Sequence, residues 1–387
     1  MSQEPSDFDR LIGPDRRRVP TPRGLAGVVT VIAIGVVIGL VVLYPRDSPE
    51  IDLTDFGFVD DSVSAAVTSV KSAVCPDFPD VDCHIVDFSA ADGEVLLTQG
   101  FPDDDSAQPR FEVGDRVFLS VFEGGDGSFS YQYADRDRNL LLAVVALLFA
   151  GSVVALGRMR GVAALLGLVI SLLILLGFIV PAIIAGKDAV LVALVGGGAI
   201  VLVALYLAHG YTPLTHVAAV GAFAALALTT ALSWGVVELA QFSGLASEES
   251  FYLLLIPGFD LSGLLLAGVV LGAIGALDDV TVTQASAVWE VRQANSALGR
   301  GDLFASGLRV GRDHIASTVN TLLLAYAGAA MPLLILFSLS QQHLGLIASS
   351  EVVAVEIVRT LVGSIGLVAA VPITTWLAAQ QAAEGEM

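Results

Sequence analysis

Long apolar runs separated by short polar segments dominate the chain. After a first run at 24–44, others follow at 139–157, 161–186, 189–210, 216–239, from about 261 into 272–291, 314–339 and about 358–377. Several reach or approach the roughly 20 residues that an α-helix needs to cross about 30 Å of hydrocarbon. The pattern predicts a mostly α protein, a polytopic transmembrane helix bundle with about eight spans.

Residues 45–138 follow a different pattern, in which apolar and polar positions alternate. Runs at 84–90, 94–101, 110–122 and 128–134 are separated by Gly, Asp and Pro. Alternation bounded by such turn residues is typical of β-strands. We predict a small β-rich, barrel-like extracytoplasmic domain between spans one and two, with a helical piece near 59–73.

Basic residues indicate the orientation. Arginines precede the first run, flank the short turn at 158–160 and recur through 292–313, and positive charge is enriched in cytoplasmic segments. We expect both termini in the cytoplasm and 292–313 to be a cytoplasmic loop. The predicted divisions are a cytoplasmic tail 1–23, a first span 24–44, the extracytoplasmic domain 45–138, a bundle of about seven helices 139–380 and a cytoplasmic tail 381–387.

Composition supports this class of protein. The hydrophobic fraction is 55% and the mean hydropathy is +0.77, which excludes an ordinary soluble domain. Of the net charge of −20, most lies in 45–138, where 21 acidic residues face 6 basic ones. An acidic surface argues against nucleic acid as a partner. It is typical of a solvated face, and the alternative is accumulation of cations near the membrane.

Cys75 and Cys83 are the only cysteines, and both lie in the predicted extracytoplasmic domain. In an oxidising compartment, a disulfide between them is the favoured interpretation. With only His84 beside them, they make a poor metal site, so no metal and no cofactor is predicted.

The segment 272–291 contains the most informative polar residues, because ionisable groups within spans usually face a bundle interior or a water-filled cavity. On a helix, Asp279, Thr283, Ser286 and Glu290 share one face, while Asp278 lies about 100° away. The alternative is that the span simply ends here and the carboxylates are solvated.

A second polar stripe begins the next apolar run. Asp313, Asn320 and Thr321 lie within its first turns, and an antiparallel arrangement would bring Asn320 and Thr321 level with the aspartates. These eight residues, from Asp278 to Thr321, form the predicted ion- or substrate-binding site. No catalytic residue is predicted, because the sequence lacks the P-loop, HExxH, GxSxG and dinucleotide motifs.

The stretch from Asp279 to Glu290, followed by Gly311-Arg312-Asp313, Asn320-Thr321-Leu322 and Ala325-Tyr326-Ala327-Gly328, resembles the YibE/F family of bacterial multipass membrane proteins. The resemblance covers about residues 110–375. Other members often have an apolar residue where this chain has Asp278, which favours Asp279 for a shared role. The resemblance implies the plasma membrane and an exterior β-rich domain, but no activity.

Two functions from different classes follow. The first is a permease or channel-like protein for a cation or small solute, with a polar track between spans six and seven. The second is a membrane scaffold or assembly factor whose extracytoplasmic domain binds an envelope protein. An intramembrane enzyme is a weaker third interpretation. Membrane lipids are the remaining expected partners.

Overall fold

The computed structural model describes residues 23–46, 62–75, 82–103, 108–123, 127–254, 256, 258–340 and 343–384. The chain forms two compact units, residues 50–152 (the β unit) and residues 1–49 with 153–387 (the helical unit). The predicted tails at 1–22 and 385–387 lie outside the described residues.

The β unit is built on one antiparallel sheet. Its strands are β1 Ser62–Val74, β2 Asp82–Ser89, β3 Val95–Pro102, β4 Arg116–Glu123 and β5 Phe129–Arg136, in the order β3-β2-β1-β4-β5. The sheet curls so that aromatic rings from both edge strands meet: Phe101 of β3 and Tyr133 of β5 lie 5.8 Å apart between ring centroids. Phe88 of β2 and Phe111 complete this aromatic core.

The helix predicted near 59–73 is wrong, because its described residues, 62–73, belong to the central strand β1. The side chains alternate between the core and solvent, with Ala65 and Val67 buried and Ser64 exposed. It pairs with β2 on one side and β4 on the other. Burial against two neighbouring strands overrides the weak local preference of a Ser- and Ala-rich segment.

A disulfide bond joins Cys75 and Cys83, whose Cα atoms lie 5.0 Å apart. It links the end of β1 to the start of β2, where Ala73 pairs with Cys83. Both cysteines are buried. The bond therefore joins the two strands beside the last pairs of their antiparallel ladder.

Replacing both cysteines by serine is expected to lower the free energy of unfolding of the β unit by about 2–3 kcal/mol, because the bond no longer restricts the unfolded chain. Hydrogen exchange of β1 and β2 in the full-length protein would measure the change. Reducing the wild-type protein is the matched control and should give the same faster exchange. Unchanged exchange in both samples would contradict the prediction.

The helical unit consists of helices in chain order. They are α1 Arg23–Leu43, α2 Asn139–Ile174 (which begins within the β unit), a π-helical turn Leu175–Ile179, α3 Val180–Ile184, α4 Ala189–His209, α5 Pro213–Ala240, α6 Glu248–Leu253, α7 Leu261–Ala294, α8 Arg300–Ala329, α9 Met331–Leu339, α10 Leu344–Ser349 and α11 Glu351–Glu384. The segment predicted as a loop at 292–313 is thus mostly helix. Only residues 295–299 separate α7 from α8.

By length and composition, six helices in the described part of the chain can cross a membrane, and up to seven if the bent pair α8–α9 forms one span. The bend between α8 and α9 is 66°. Inside α2, Arg158 interrupts the helical backbone with φ 50° and ψ −129°. The chain folds back sharply there, since a Cβ on Gly161 would overlap the carbonyl oxygen of Val153. This break lies where the sequence predicts a division between two spans.

Small residues let the helices of the bundle approach closely. A Cβ on Gly221 of α5 would overlap the hydroxyl of Thr374 on α11, and a Cβ on Gly366 of α11 would overlap the hydroxyl of Thr229 on α5. These two contacts show that α5 and α11 run antiparallel. Close approach at small residues is typical of helix packing in membranes.

Candidate functional site

The predicted polar face lies on a single long helix. Asp260 caps α7, accepting a hydrogen bond from the backbone N–H of Gly263 at 2.9 Å. The helix then continues for 34 residues without a break. Asp279, Thr283 and Glu290 are exposed and Ser286 is half-buried, so this face remains open to its surroundings.

The side of α7 opposite this face stays packed beyond the aspartates. Val280, Thr281, Ala285 and Val288 are fully buried. The helix therefore remains part of the bundle over residues 280–288 and does not run free after its apolar half. This packing weakens the interpretation in which Asp279 merely marks the point where a span ends.

Asp279 lies beside an imidazole that the sequence-based site did not include. Its Oδ2 atom is 3.9 Å from Nε2 of His314 on α8. That distance is within range of an ion pair but too long for a hydrogen bond, and within the described residues His314 Nε2 is buried without a hydrogen-bond partner. Asp279 is 70% exposed and His314 29%. The Asp279 carboxylate is therefore mostly exposed, whereas the His314 imidazole is mostly buried.

Asp278 has a different environment from Asp279. It is half-buried, and its Oδ1 atom is shielded from solvent without a hydrogen-bond partner. Thr281 donates to its backbone carbonyl oxygen at 3.2 Å, not to its carboxylate. The two neighbouring acids therefore do not form one site.

Toward the N-terminal end of α7, the Asp279 face is lined by glycines. Gly268, Gly272 and Gly275 precede Asp279 at helical spacing and share its face; we call these three the glycine groove. Space above Gly275 is open, and the nearest atom to a Cβ on Gly272 would be the hydroxyl oxygen of Tyr326 on α8, at 2.9 Å. The groove thus places a phenol hydroxyl beside bare helix backbone.

An ion pair lies at the far end of this groove. The guanidinium of Arg359 on α11 is the nearest group to Gly268, with Nη2 3.9 Å from where a Cβ would lie. Arg359 also donates to Glu356 at 2.7 Å, while its Nε atom is buried without a partner. Eleven residues of helix, or about 16 Å, separate this ion pair from Asp279.

The contacts between α7 and α8 fix their antiparallel register. Gly311 of α8 packs against Gln284, His314 lies beside Asp279, and Tyr326 lies beside Gly272. Asn320 is midway between His314 and Tyr326 along α8, so it is level with Gly275. The predicted alignment of Asn320 and Thr321 with the aspartates is therefore displaced by about one helical turn.

Two of the three predicted residues of α8 also point away from α7. Asn320 is exposed and lies about 180° around the helix from Gly311, and Asp313 is exposed about 160° from it. The hydroxyl of Thr321 donates to the carbonyl oxygen of Ser317 on its own helix. The structure thus does not bring these three to Asp279; His314 and Tyr326 occupy the facing positions instead.

Gln284 is a buried polar residue that the sequence-based site omitted. It is 2% exposed, and its amide donates to the carbonyl oxygen of Gly307 on α8 at 2.7 Å and to the hydroxyl of Thr375 on α11 at 2.8 Å. Thr375 in turn donates to Val371. This network joins three helices five residues beyond Asp279. In the sequence, Gln284 could have been found as an amide that lies among apolar residues on the helix face opposite the carboxylates.

Comparison with known proteins gives one match. The family model for YibE/F-like proteins matches residues 145–384, more than half of the chain and all of the α7–α8 site. No curated protein and no solved structure matches the chain.

Proposed function

This chain belongs to the YibE/F-like family, and on that premise we propose that it is a permease or channel-like protein that moves a cation or small solute along the glycine groove. The observation that carries the proposal is the continuous face of α7 from Gly268 to Asp279. Its three glycines carry only a hydrogen atom as side chain, and charged groups lie at both ends of the face.

The two ends of the groove have complementary roles in this proposal. Asp279 supplies a carboxylate for a cation, and the His314 imidazole lies beside it. Thr283, Ser286 and Glu290 continue the polar face beyond Asp279. At the other end, the Glu356–Arg359 pair carries one negative and one positive charge. A permeating cation contacts Glu356, and Arg359 balances the charge of Glu356 when the groove holds no cation.

The proposed topology has eight spans, with α2 divided at Arg158 and α8–α9 counted as one bent span. Both termini then lie in the cytoplasm of a bacterial cell, and the β unit is extracytoplasmic. The support is the agreement of three arginine-bearing segments, at 16–23, 158–160 and 292–312, on the same side. Asp279 is then near the inner boundary of the hydrocarbon and Arg359 near the outer one.

Replacing Asp279 by Asn is expected to reduce flux about tenfold or more in proteoliposomes screened with monovalent cations, divalent cations and a proton gradient. The change removes the charge and keeps the size of the side chain. Asp302→Asn, on the first turn of α8, is the matched control and should transport like wild type. Flux by wild type no greater than that of empty liposomes across the screen would refute the proposal.

Binding of an envelope protein by the β unit is the second candidate function. A polar groove of about 220 Å³ in this unit is lined by residues including His84, Asp103 and Arg110. His84 Nδ1 and Asp103 Oδ1 lie 2.9 Å apart there. Absence of flux together with a partner that is retained by wild type and lost on Arg110→Ala would favour this function.

A further inference from the structure

A second cavity in the helical unit is unlike the glycine groove. It has a volume of about 580 Å³ and lies between α1 and α4. Its α1 wall is formed by aliphatic side chains between Val29 and Ile38, and its α4 wall by Leu202. The volume falls within the range of about 300–1,000 Å³ that is usual for small-molecule sites. We call this cavity the α1–α4 groove.

The α1–α4 groove extends along α1. Val29 and Ile38 are nine residues apart on one helix, or about 13 Å. The groove ends just beyond Ile38, where the two helices touch directly: a Cβ on Gly39 would lie 2.9 Å from Val195 Cγ1. The hydroxyl of Thr30 is already used by its own helix, donating to Ala26. An extended apolar chain matches this shape better than a compact ring system.

One end of the groove is polar and lacks partners. Tyr206 and Tyr211 line this end, and the Tyr206 hydroxyl is buried without a hydrogen-bond partner among the described residues. His216 is only 1% exposed and packs against both tyrosine rings. The His216 ring lies 4.3 Å from that of Tyr211 and 5.6 Å from that of Tyr206.

The Tyr206 hydroxyl is a buried hydrogen-bond donor without an acceptor in the described part of the chain. A buried polar group without a partner costs about 1–3 kcal/mol. A ligand with an apolar chain and an acceptor oxygen at one end would fill the apolar groove and accept a hydrogen bond from this hydroxyl.

We propose that the α1–α4 groove binds one membrane phospholipid, with an acyl chain along α1 and an ester carbonyl accepting a hydrogen bond from Tyr206. Phospholipid is the chain-bearing molecule that surrounds both helices if they span the bilayer. The ester carbonyls of a phospholipid accept hydrogen bonds and lie at the headgroup end of its acyl chains. The tyrosines likewise lie at one end of the groove. Val37 lines the groove and is 58% exposed, which gives the lipid direct access from the bilayer.

Native mass spectrometry of the full-length protein released from detergent tests the proposal. Wild type should retain about one phospholipid per chain. Ala33→Trp fills the groove and should lower the retained fraction about tenfold. Val31→Trp, with the same bulk on a non-lining face of the same helix, should retain lipid like wild type.

Tyr206→Phe removes a single hydroxyl and serves as the second variant if Ala33→Trp does not fold. It should also lower lipid retention, whereas Tyr44→Phe at the end of α1 should not. Equal retention by Ala33→Trp and Val31→Trp, both folded, would overturn the proposal, as would equal retention by Tyr206→Phe and Tyr44→Phe. A retained mass other than phospholipid, or a second copy of the chain in its place, would also overturn it.

Discussion

Replacing Gly275 by Trp is expected to reduce flux through the reconstituted protein about tenfold or more while leaving its folded yield unchanged. A Cβ on Gly275 would meet no atom within 4 Å, so a larger side chain begins in open space there. Tryptophan is also a better helix former than glycine, so α7 itself is not weakened. The loss would therefore arise from obstruction of the glycine groove between Tyr326 and His314.

The size of the substituted side chain makes this prediction quantitative. Flux should fall progressively from Gly275→Ala to Gly275→Leu to Gly275→Trp, measured in the same proteoliposome assay. Gly235→Trp is the matched control, since Gly235 also lies in a long apolar helix and has open space around it. Equal flux by wild type and folded Gly275→Trp would show that the substrate does not pass along this face.

Replacing Gly366 by Leu is expected to destabilise the bundle by about 3 kcal/mol or more, at the upper end of the effects of overpacking. Any Cβ at this position overlaps the Thr229 hydroxyl, whose own hydrogen bond to the Ala225 carbonyl oxygen fixes it in place. The backbones of α5 and α11 must then separate. A lower thermal unfolding midpoint in detergent and a reduced folded yield would measure the effect.

The neighbouring glycine supplies the control. Gly363 lies one turn earlier on α11, and a Cβ there meets no atom within 4 Å. Gly363→Ala should leave the midpoint unchanged or raise it, whereas Gly366→Ala should lower it. Combining Gly366→Ala with Thr229→Ala should recover part of the loss, because the overlapping hydroxyl is removed. Equal midpoints for the two single alanine variants would contradict the packing argument.

Hydrophobic periodicity predicted most of the elements. The first apolar run, 24–44, corresponds to α1, and all four strands expected from alternation are present as β2 to β5. β1 was predicted as a helix because small residues such as Ala65 and Ala66 carry little periodic contrast. Its strand structure depends on pairing with β2 and β4, which local sequence does not encode.

The site was predicted on one helix and not on the other. A period of 3.6 residues is enough to place Asp279 and Glu290 on one face of α7, and the open face agrees. The facing residues depend on where α8 begins. The sequence suggested a long loop at 292–313, but the connection occupies only 295–299, and this short turn sets the register that brings His314 to Asp279.

The Gln284 network gives the long helix α7 a fixed point close to one end of its groove. Asp279 is five residues from Gln284, or about 7.5 Å, and Gly268 is sixteen residues away, or about 24 Å. A rigid rod that rocks about such a pivot moves its distant point about three times as far as its near one. Any tilt of α7 would therefore widen or narrow the gap at Arg359 while Asp279 and His314 stay nearly in register.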